Sequence, residues 1–330
     1  MFRKLSTLLL VLVSAVLLLA ACGGSGDKNS NGSDKSNKEE SSKSKDSKGS
    51  SDAYTPEKLT IGFVPSQNAE TLEAKAKPLA ELLKKELGID VDVKVTTDYN
   101  GVVEAMGSKQ LDLGFLPPTD YVLAHDKGYA DVLLQALRFG VNPEDGSETK
   151  EKVEYYYAGI LAKKDSGIKD LKDLKGKKIG WQAPTSSAGY VWPAVEMKEK
   201  ENIDAQKDVT GTQLQGHDKG VAAVLNGDVD AAAVFLDARN IVKKDTPDVF
   251  DKTSYIYQTE KIPNDTISVR PDMSDEWKNK IADAFVKIGE DEEGQKIIKE
   301  IYSHVGYKKS DDKNFDIVRD YSKKVQEIGK

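Results

Sequence analysis

Residues 59–116 read LTIGFVPSQNAETLEAKAKPLAELLKKELGIDVDVKVTTDYNGVVEAMGSKQLDLGFL, and this stretch decides the fold class. Leu59-Thr-Ile-Gly-Phe-Val64 is an apolar run stopped by Pro65, the mark of a buried strand. Leu72, Ala76, Leu79, Leu83 and Leu87 then recur at helical spacing until Gly88 closes the helix. Val91-Asp-Val-Lys-Val95 alternates as a second strand, Val102 to Met106 opens a short helix, and Leu111-Asp-Leu-Gly-Phe-Leu116 is a third strand. A β-α-β-α-β order needs crossover connections, so it predicts an α/β fold with mostly parallel strands and helices on the sheet faces.

Working outward, the same theme recurs. Tyr155 to Ala162 is a strand candidate. Leu171 to Gly180 combines a short helix, a glycine stop and a new strand. A further helix begins inside Pro184-Thr-Ser-Ser-Ala-Gly-Tyr190. Val209–Leu214 and Asp230–Leu236 read as strands around a helix at Val221–Leu225, and Thr266–Val269 is a brief strand after Pro263. Trp277, Ile281, Phe285 and Ile288 share one face of a long helix. Two α/β lobes fit this order better than one continuous sheet. Ligands of open α/β sheets sit outside the carboxyl ends of strands. The loops to inspect are therefore those after Val64, Val95, Leu116, Trp181, Leu214 and Leu236.

The N-terminal side carries an address. A basic start (Arg3, Lys4) precedes an apolar run from Leu8 to Ala21 and then Leu19-Ala20-Ala21-Cys22, the layout of a secretory signal. The run is shorter than the roughly twenty residues a spanning helix needs. Cys22 is the sole cysteine of the chain, and a free thiol has no structural use in an oxidising compartment. The segment resembles a bacterial lipobox, which implies a lipid on Cys22 and removal of residues 1–21. From Gly23 to Asp52 every residue is Gly, Ser, Asp, Lys, Asn or Glu, so this stretch has no apolar surface to offset the entropy of ordering and reads as a tether. A formal charge of −7 argues against nucleic acid as a partner. No second apolar run is long enough to cross a membrane.

Several strand-end loops hold polar side chains suited to an anion. Ser186 and Ser187 place hydroxyls beside the free N–H groups of a helix start, an arrangement that serves an anion or an ordinary N-cap equally well. Gln215-Gly216-His217-Asp218 opens another helix, and His217 can donate from its ring. Tyr99 lies in the turn Asp98-Tyr-Asn-Gly101, and Pro117-Pro118 fixes the loop that presents Thr119. Asp237 and Asp265 have the ordinary reading of turn or cap aspartates. Arginine is absent from these motifs, so a site without a guanidinium clamp is expected.

Together with the lipobox, these segments resemble a known family. They are Asp98-Tyr-Asn-Gly101, Leu111-Asp-Leu-Gly-Phe-Leu-Pro-Pro-Thr-Asp-Tyr121, Pro184-Thr-Ser-Ser-Ala-Gly189, Gly216-His-Asp218, Asn226-Gly-Asp-Val-Asp-Ala-Ala-Ala233 and Ile262-Pro-Asn-Asp265. In order and spacing, from about Leu59 to Tyr307, they are similar to the solute-binding proteins of phosphonate ABC importers, a family that also serves phosphite and phosphate uptake. The resemblance implies a two-lobed type II periplasmic-binding fold with a hinge crossed twice. The expected organisation is a signal peptide at 1–21 and a lipid-anchored linker at 22–53. The first lobe then spans 54–155, the second 156–257, and 258–330 returns to the first with the C-terminal helices.

The resemblance also implies ligand contacts at Tyr99, Tyr156, Ser186, Ser187, His217, Asp237 and Asp265. The tyrosines, serines and histidine would hold the oxyanion, and the two carboxylates would hold the ligand's amino group when it has one. Ala188 stands where some relatives have a third hydroxyl, leaving only its backbone N–H to donate, and Thr119 is a further candidate. Implied partners are a small phosphorus oxyanion, a permease with its ATPase, and the membrane through the Cys22 lipid. The protein is expected as a monomer on the extracytoplasmic face, without cofactor or metal.

Three competing readings stand beside this one. Ser186, His217 and Asp237 are residue types of a hydrolytic triad, but Ser186 lacks a G-x-S-x-G elbow. His125, His217 and His304 lack metal-ligand spacing, and His125 and His304 read as surface or core fillers. Trp181 and Trp192 are able to stack the ring of a thiamine-type ligand, and the same fold also suits sulfonates, although Trp181 at a strand end reads as core.

Overall fold

The computed structural model describes residues 53–330; the signal segment 1–21, Cys22 and the tether up to residue 52 lie outside the described residues. Strand β1 (Lys58–Phe63) leads through helix α1 (Ala69–Leu87) to β2 (Asp90–Val95), then through α2 (Tyr99–Gly107) to β3 (Leu113–Leu116). Asn68 starts α1 by accepting the Thr71 N–H at 3.0 Å, and Gly88 ends it at φ +75°, a left-handed turn that glycine adopts without a Cβ penalty. The three strands are parallel, and Phe63 pairs with both Val95 and Phe115. Their carboxyl ends are therefore level, and the loops that follow open on one edge.

The chain continues through α3 (Pro118–Asp126), β4 (Asp131–Val141), β5 (Glu148–Val153) and the two-residue β6 (Tyr155–Tyr156). It then builds a second sheet from β7 (Ala158–Lys163), β8 (Lys178–Trp181), α4 (Trp192–Glu201), β9 (Thr210–Gln213), α5 (His217–Asn226), β10 (Ala231–Phe235), the short α6 (Arg239–Val242) and α7 (Val249–Lys252), and β11 (Thr253–Gln258). It returns through β12 (Ile262–Pro263) to β13 (Thr266–Val269), α8 (Asp275–Glu290), α9 (Glu292–Tyr302), β14 (Gly306–Lys309) and α10 (Asp316–Val325). The first sheet runs β14-β4-β13-β3-β1-β2 with β5 beside β4, and the second runs β11-β7-β10-β8-β9. The two crossings, β6 and β12, pair with each other, Tyr156 opposite Ile262.

Both sheets are mixed rather than mostly parallel. β13, β4 and β14 extend the first sheet antiparallel, and β7 and β11 do the same in the second. β13, the strand on which the chain re-enters the first sheet, pairs antiparallel with both β3 and β4. The single strand expected over 155–162 is broken at Tyr157, where the chain passes from one sheet to the other.

Phe63 and Phe115 stack at 4.4 Å in the first core, with the Phe285 edge on Phe115 at 5.7 Å. Helix α10 packs on α3 and also on α4 of the second sheet. There Tyr321 stacks on Trp192 at 4.2 Å and donates to the buried Glu196 at 3.1 Å. Glu196 also accepts from the Tyr257 hydroxyl and the Glu260 N–H, so this buried carboxylate is well solvated by protein donors. Among the described residues no helix is long and apolar enough to cross a membrane.

Candidate functional site

A cavity of about 400 Å³ lies where the strand-end loops of both sheets converge. Tyr99 enters it from the start of α2, where Asp98 caps the helix through the Gly101 N–H at 2.8 Å. Ser186, Ser187 and Ala188 enter from the turn after β8, His217 from the start of α5, and Asp237 from beyond β10. Tyr156 and Asp265 come from the paired crossing segments, so the hinge itself carries two wall residues. Of the side chains singled out from sequence, Thr119 alone is set back from the wall. It stands behind Ser187, with its N–H 3.2 Å and its hydroxyl 2.7 Å from Ser187 Oγ.

The local hydrogen bonds leave donors over for a guest. Residues 187–191 form a π-turn at the head of α4, capped by Ser186 Oγ accepting the Gly189 N–H at 3.1 Å. The first N–H groups of a helix have no partner within it, and those of Ser187 and Ala188 belong to residues on the cavity wall. His217 Nδ1 accepts the Phe235 backbone N–H at 3.3 Å, so the neutral ring carries its proton on Nε2. Burial pushes the His217 pKa down to about 3, which keeps the ring neutral. Burial raises the Tyr99 and Tyr156 phenols above their usual range, and the Asp120 and Asp265 carboxylates add to this, so both stay protonated donors. Such a set of neutral donors can desolvate an oxyanion without importing several full charges.

Comparison with known proteins gives the family. Residues 61–315 match the family model described as the periplasmic substrate-binding protein of phosphonate ABC transporters. The chain belongs to that family. It is 30% identical over 251 residues to the phosphate-import protein PhnD of Mycolicibacterium smegmatis, covering 72% of this chain and 75% of that one. It is 26% identical over 247 residues to the phosphonates-binding periplasmic protein of Escherichia coli, covering 74% and 70%. The crystal structure of a binding-protein component of an ABC phosphonate transporter from Pseudomonas aeruginosa superposes with a TM-score of 0.71 at 23% identity, covering 82% of this chain and 86% of that chain. The fold is the type II periplasmic-binding class expected from the sequence.

The structure adds residues that sequence reasoning missed. Arg138 of β4 lines the cavity, contrary to the expectation of a site without a guanidinium. Its Nη1 is 3.4 Å from Asp237 Oδ1, its Nη2 donates to the Tyr302 carbonyl at 3.0 Å, and its head lies over the Tyr156 ring at 4.8 Å. An arginine inside the apolar run Leu133-Leu-Gln-Ala-Leu-Arg-Phe139 was the available signal, because a buried guanidinium needs a partner. Tyr302 also lines the cavity and is tied by its hydroxyl to the Val64 carbonyl at 2.7 Å. His304 is buried, as a core filler would be, but it also places Nε2 3.4 Å from Asp265 Oδ2, and burial lowers its pKa.

The competing readings fare differently at the atomic level. Ser186, His217 and Asp237 share the cavity without forming a relay: a triad histidine donates Nδ1–H to its carboxylate, whereas here Nδ1 takes a backbone N–H and Asp237 faces Arg138. Trp181 and Trp192 are buried in the core, Trp181 edge-on to Tyr190 and Trp192 against Tyr321.

Proposed function

We propose that this chain captures a phosphorus oxyanion (a phosphonate, phosphite or phosphate) between its two sheets and delivers it to an ABC permease driven by a cytoplasmic ATPase, without chemical change. The observation that carries this reading is the convergence of neutral donors on one cavity: the Tyr99 and Tyr156 phenols, the Ser186 and Ser187 hydroxyls, the His217 ring and the N–H groups of Ser187 and Ala188. Tetrahedral oxyanions offer many acceptor sites and suit such a wall. Thr119 serves as a support that orients Ser187: its N–H donates to Ser187 Oγ at 3.2 Å, and the two hydroxyls share a hydrogen bond of 2.7 Å. Asp265 accepts the proton of a monoprotonated ligand, which sulfate-like anions cannot supply; they would set a bare oxyanion against this carboxylate.

The two sheets serve as lobes, 54–155 with the return 258–330 against 156–257. A lipid on Cys22 and the 22–53 tether hold the monomer on the extracytoplasmic face, near its permease, which raises the effective concentration at the docking site. Calorimetry with phosphate, phosphite, methylphosphonate, taurine and thiamine tests the ligand class. At least one phosphorus oxyanion binds, taurine and thiamine do not, and Ser186→Ala weakens the bound oxyanion by about 1–3 kcal/mol. Binding of taurine alone overturns the reading. In cells fed labelled palmitate, the protein takes up label and Cys22→Ser takes up none; a protein that carries no label removes the lipid anchor.

A further inference from the structure

We propose that Arg138 sets the ligand class, by occupying beside Asp237 the place that a ligand's ammonium group would need, so that the cavity selects phosphorus oxyanions without an amino substituent. This rests on the phosphorus-oxyanion reading above. Four carboxylates line the cavity: Glu148 and Glu300 are exposed, Glu148 being paired with Lys299 at 2.6 Å, whereas Asp237 and Asp265 are shielded from solvent, so a buried cationic substituent would settle on one of the two aspartates. Arg138 Nη1 stands 3.4 Å from Asp237 Oδ1, with the two side chains only 9% and 10% exposed. The guanidinium is further held by the Tyr302 carbonyl at 3.0 Å and by the Tyr156 face. An ammonium brought to Asp237 would lie against a fixed like charge and share a carboxylate already in use, in a site with little water to screen the repulsion.

Asp265 differs. Its neighbour at 3.4 Å is His304, a ring that burial keeps toward neutrality and that donates without cancelling the carboxylate charge. Asp265 is therefore free to take the proton of a monoprotonated oxyanion. The arrangement gives one carboxylate neutralised by an internal cation and one reserved for the ligand's hydroxyl.

Ethylphosphonate and 2-aminoethylphosphonate differ by the ammonium group alone and make the test. By calorimetry on the full-length protein, ethylphosphonate binds about tenfold or more tightly than 2-aminoethylphosphonate, a gap of roughly 1.4 kcal/mol. Arg138→Gln collapses or reverses that ratio by releasing Asp237, while Arg138→Lys, which keeps a cation, retains its direction. Equal affinities in the wild type, or an unchanged ratio in Arg138→Gln, overturn the proposal. If Arg138→Gln melts too low to titrate, Asp237→Asn decides: a loss confined to 2-aminoethylphosphonate means that Asp237 holds the ammonium and the proposal fails, and equal effects on both ligands support it. Should neither these two nor methylphosphonate, phosphite or phosphate bind, the phosphorus-oxyanion reading itself has failed, a result distinct from a wrong ratio.

Discussion

Asp120, the third residue of α3, is fully buried, and neither carboxylate oxygen has a hydrogen-bond partner among the described residues. Burial pushes its pKa up from 3.8 to about 8; the Thr185 hydroxyl beside it pulls the other way, and Asp265 and Asp98 add to the rise. The phenol of Tyr99 faces the same carboxyl. The folded chain therefore keeps a proton that the unfolded chain releases above about pH 4. Its contribution to stability is most favourable below pH 4 and is lost as pH rises toward 8, at a slope of at most about 1.4 kcal/mol per pH unit. Asp120→Asn should flatten the melting-temperature profile between pH 4 and pH 8 relative to the wild type; parallel profiles would show that the carboxyl is ionised throughout. Little of this was legible in the sequence. Asp120 sits in a Pro-Pro-Thr-Asp stretch that reads as an ordinary helix start, and its lack of a partner is a property of packing from the 184–190 turn. The strand-end side chains were easier to find, because the carboxyl-end rule names loops before any contact is known.

At the scale of elements, the π-turn over 187–191 and its cap Ser186 position three wall residues at once, and Gly189 makes this possible. A Cβ on Gly189 would fall 2.2 Å from Gln182 Cγ and 2.3 Å from Gln182 Cβ, and 2.9 Å from the Ser186 oxygen that caps the turn. Gly189→Ala must push the turn off the end of β8. It should weaken binding of the best phosphorus oxyanion by tenfold or more while the melting temperature falls by only a few degrees, as for a displacement costing on the order of 1–2 kcal/mol. Undiminished affinity in calorimetry would show that the turn does not place the donors. The parallel βα units were legible because strand, helix and glycine stop follow one another with clear periods. β4 was not: Asp131–Val141 has no alternation, and its Leu, Gln, Ala and Arg favour helix, so pairing on both edges by β13 and β14 overrides local preference. Missing β4 meant missing Arg138.

At the scale of the molecule, both sheets meet across the cavity through contacts that can open together. The His217 N–H donates to the Ser66 carbonyl at 2.9 Å, Thr119 bonds Ser187, and Arg138 faces Asp237. Among the described residues the chain passes between the sheets at the paired crossings β6 and β12, with α10 lying on both α3 and α4. Two adjacent crossings permit a bending motion, and a helix strapped to both sides limits its range. A ligand that bridges Tyr99 and Ser66 on one side with Ser187 and His217 on the other binds the closed arrangement better than an open one, and so shifts the population toward closure. Small-angle scattering of the full-length protein should show a smaller radius of gyration with saturating ligand than without it. Arg138→Gln, which removes one cross-cleft contact, should enlarge the ligand-free radius and leave the liganded one nearly unchanged. If ligand leaves the radius unaltered in both proteins, closure does not accompany capture.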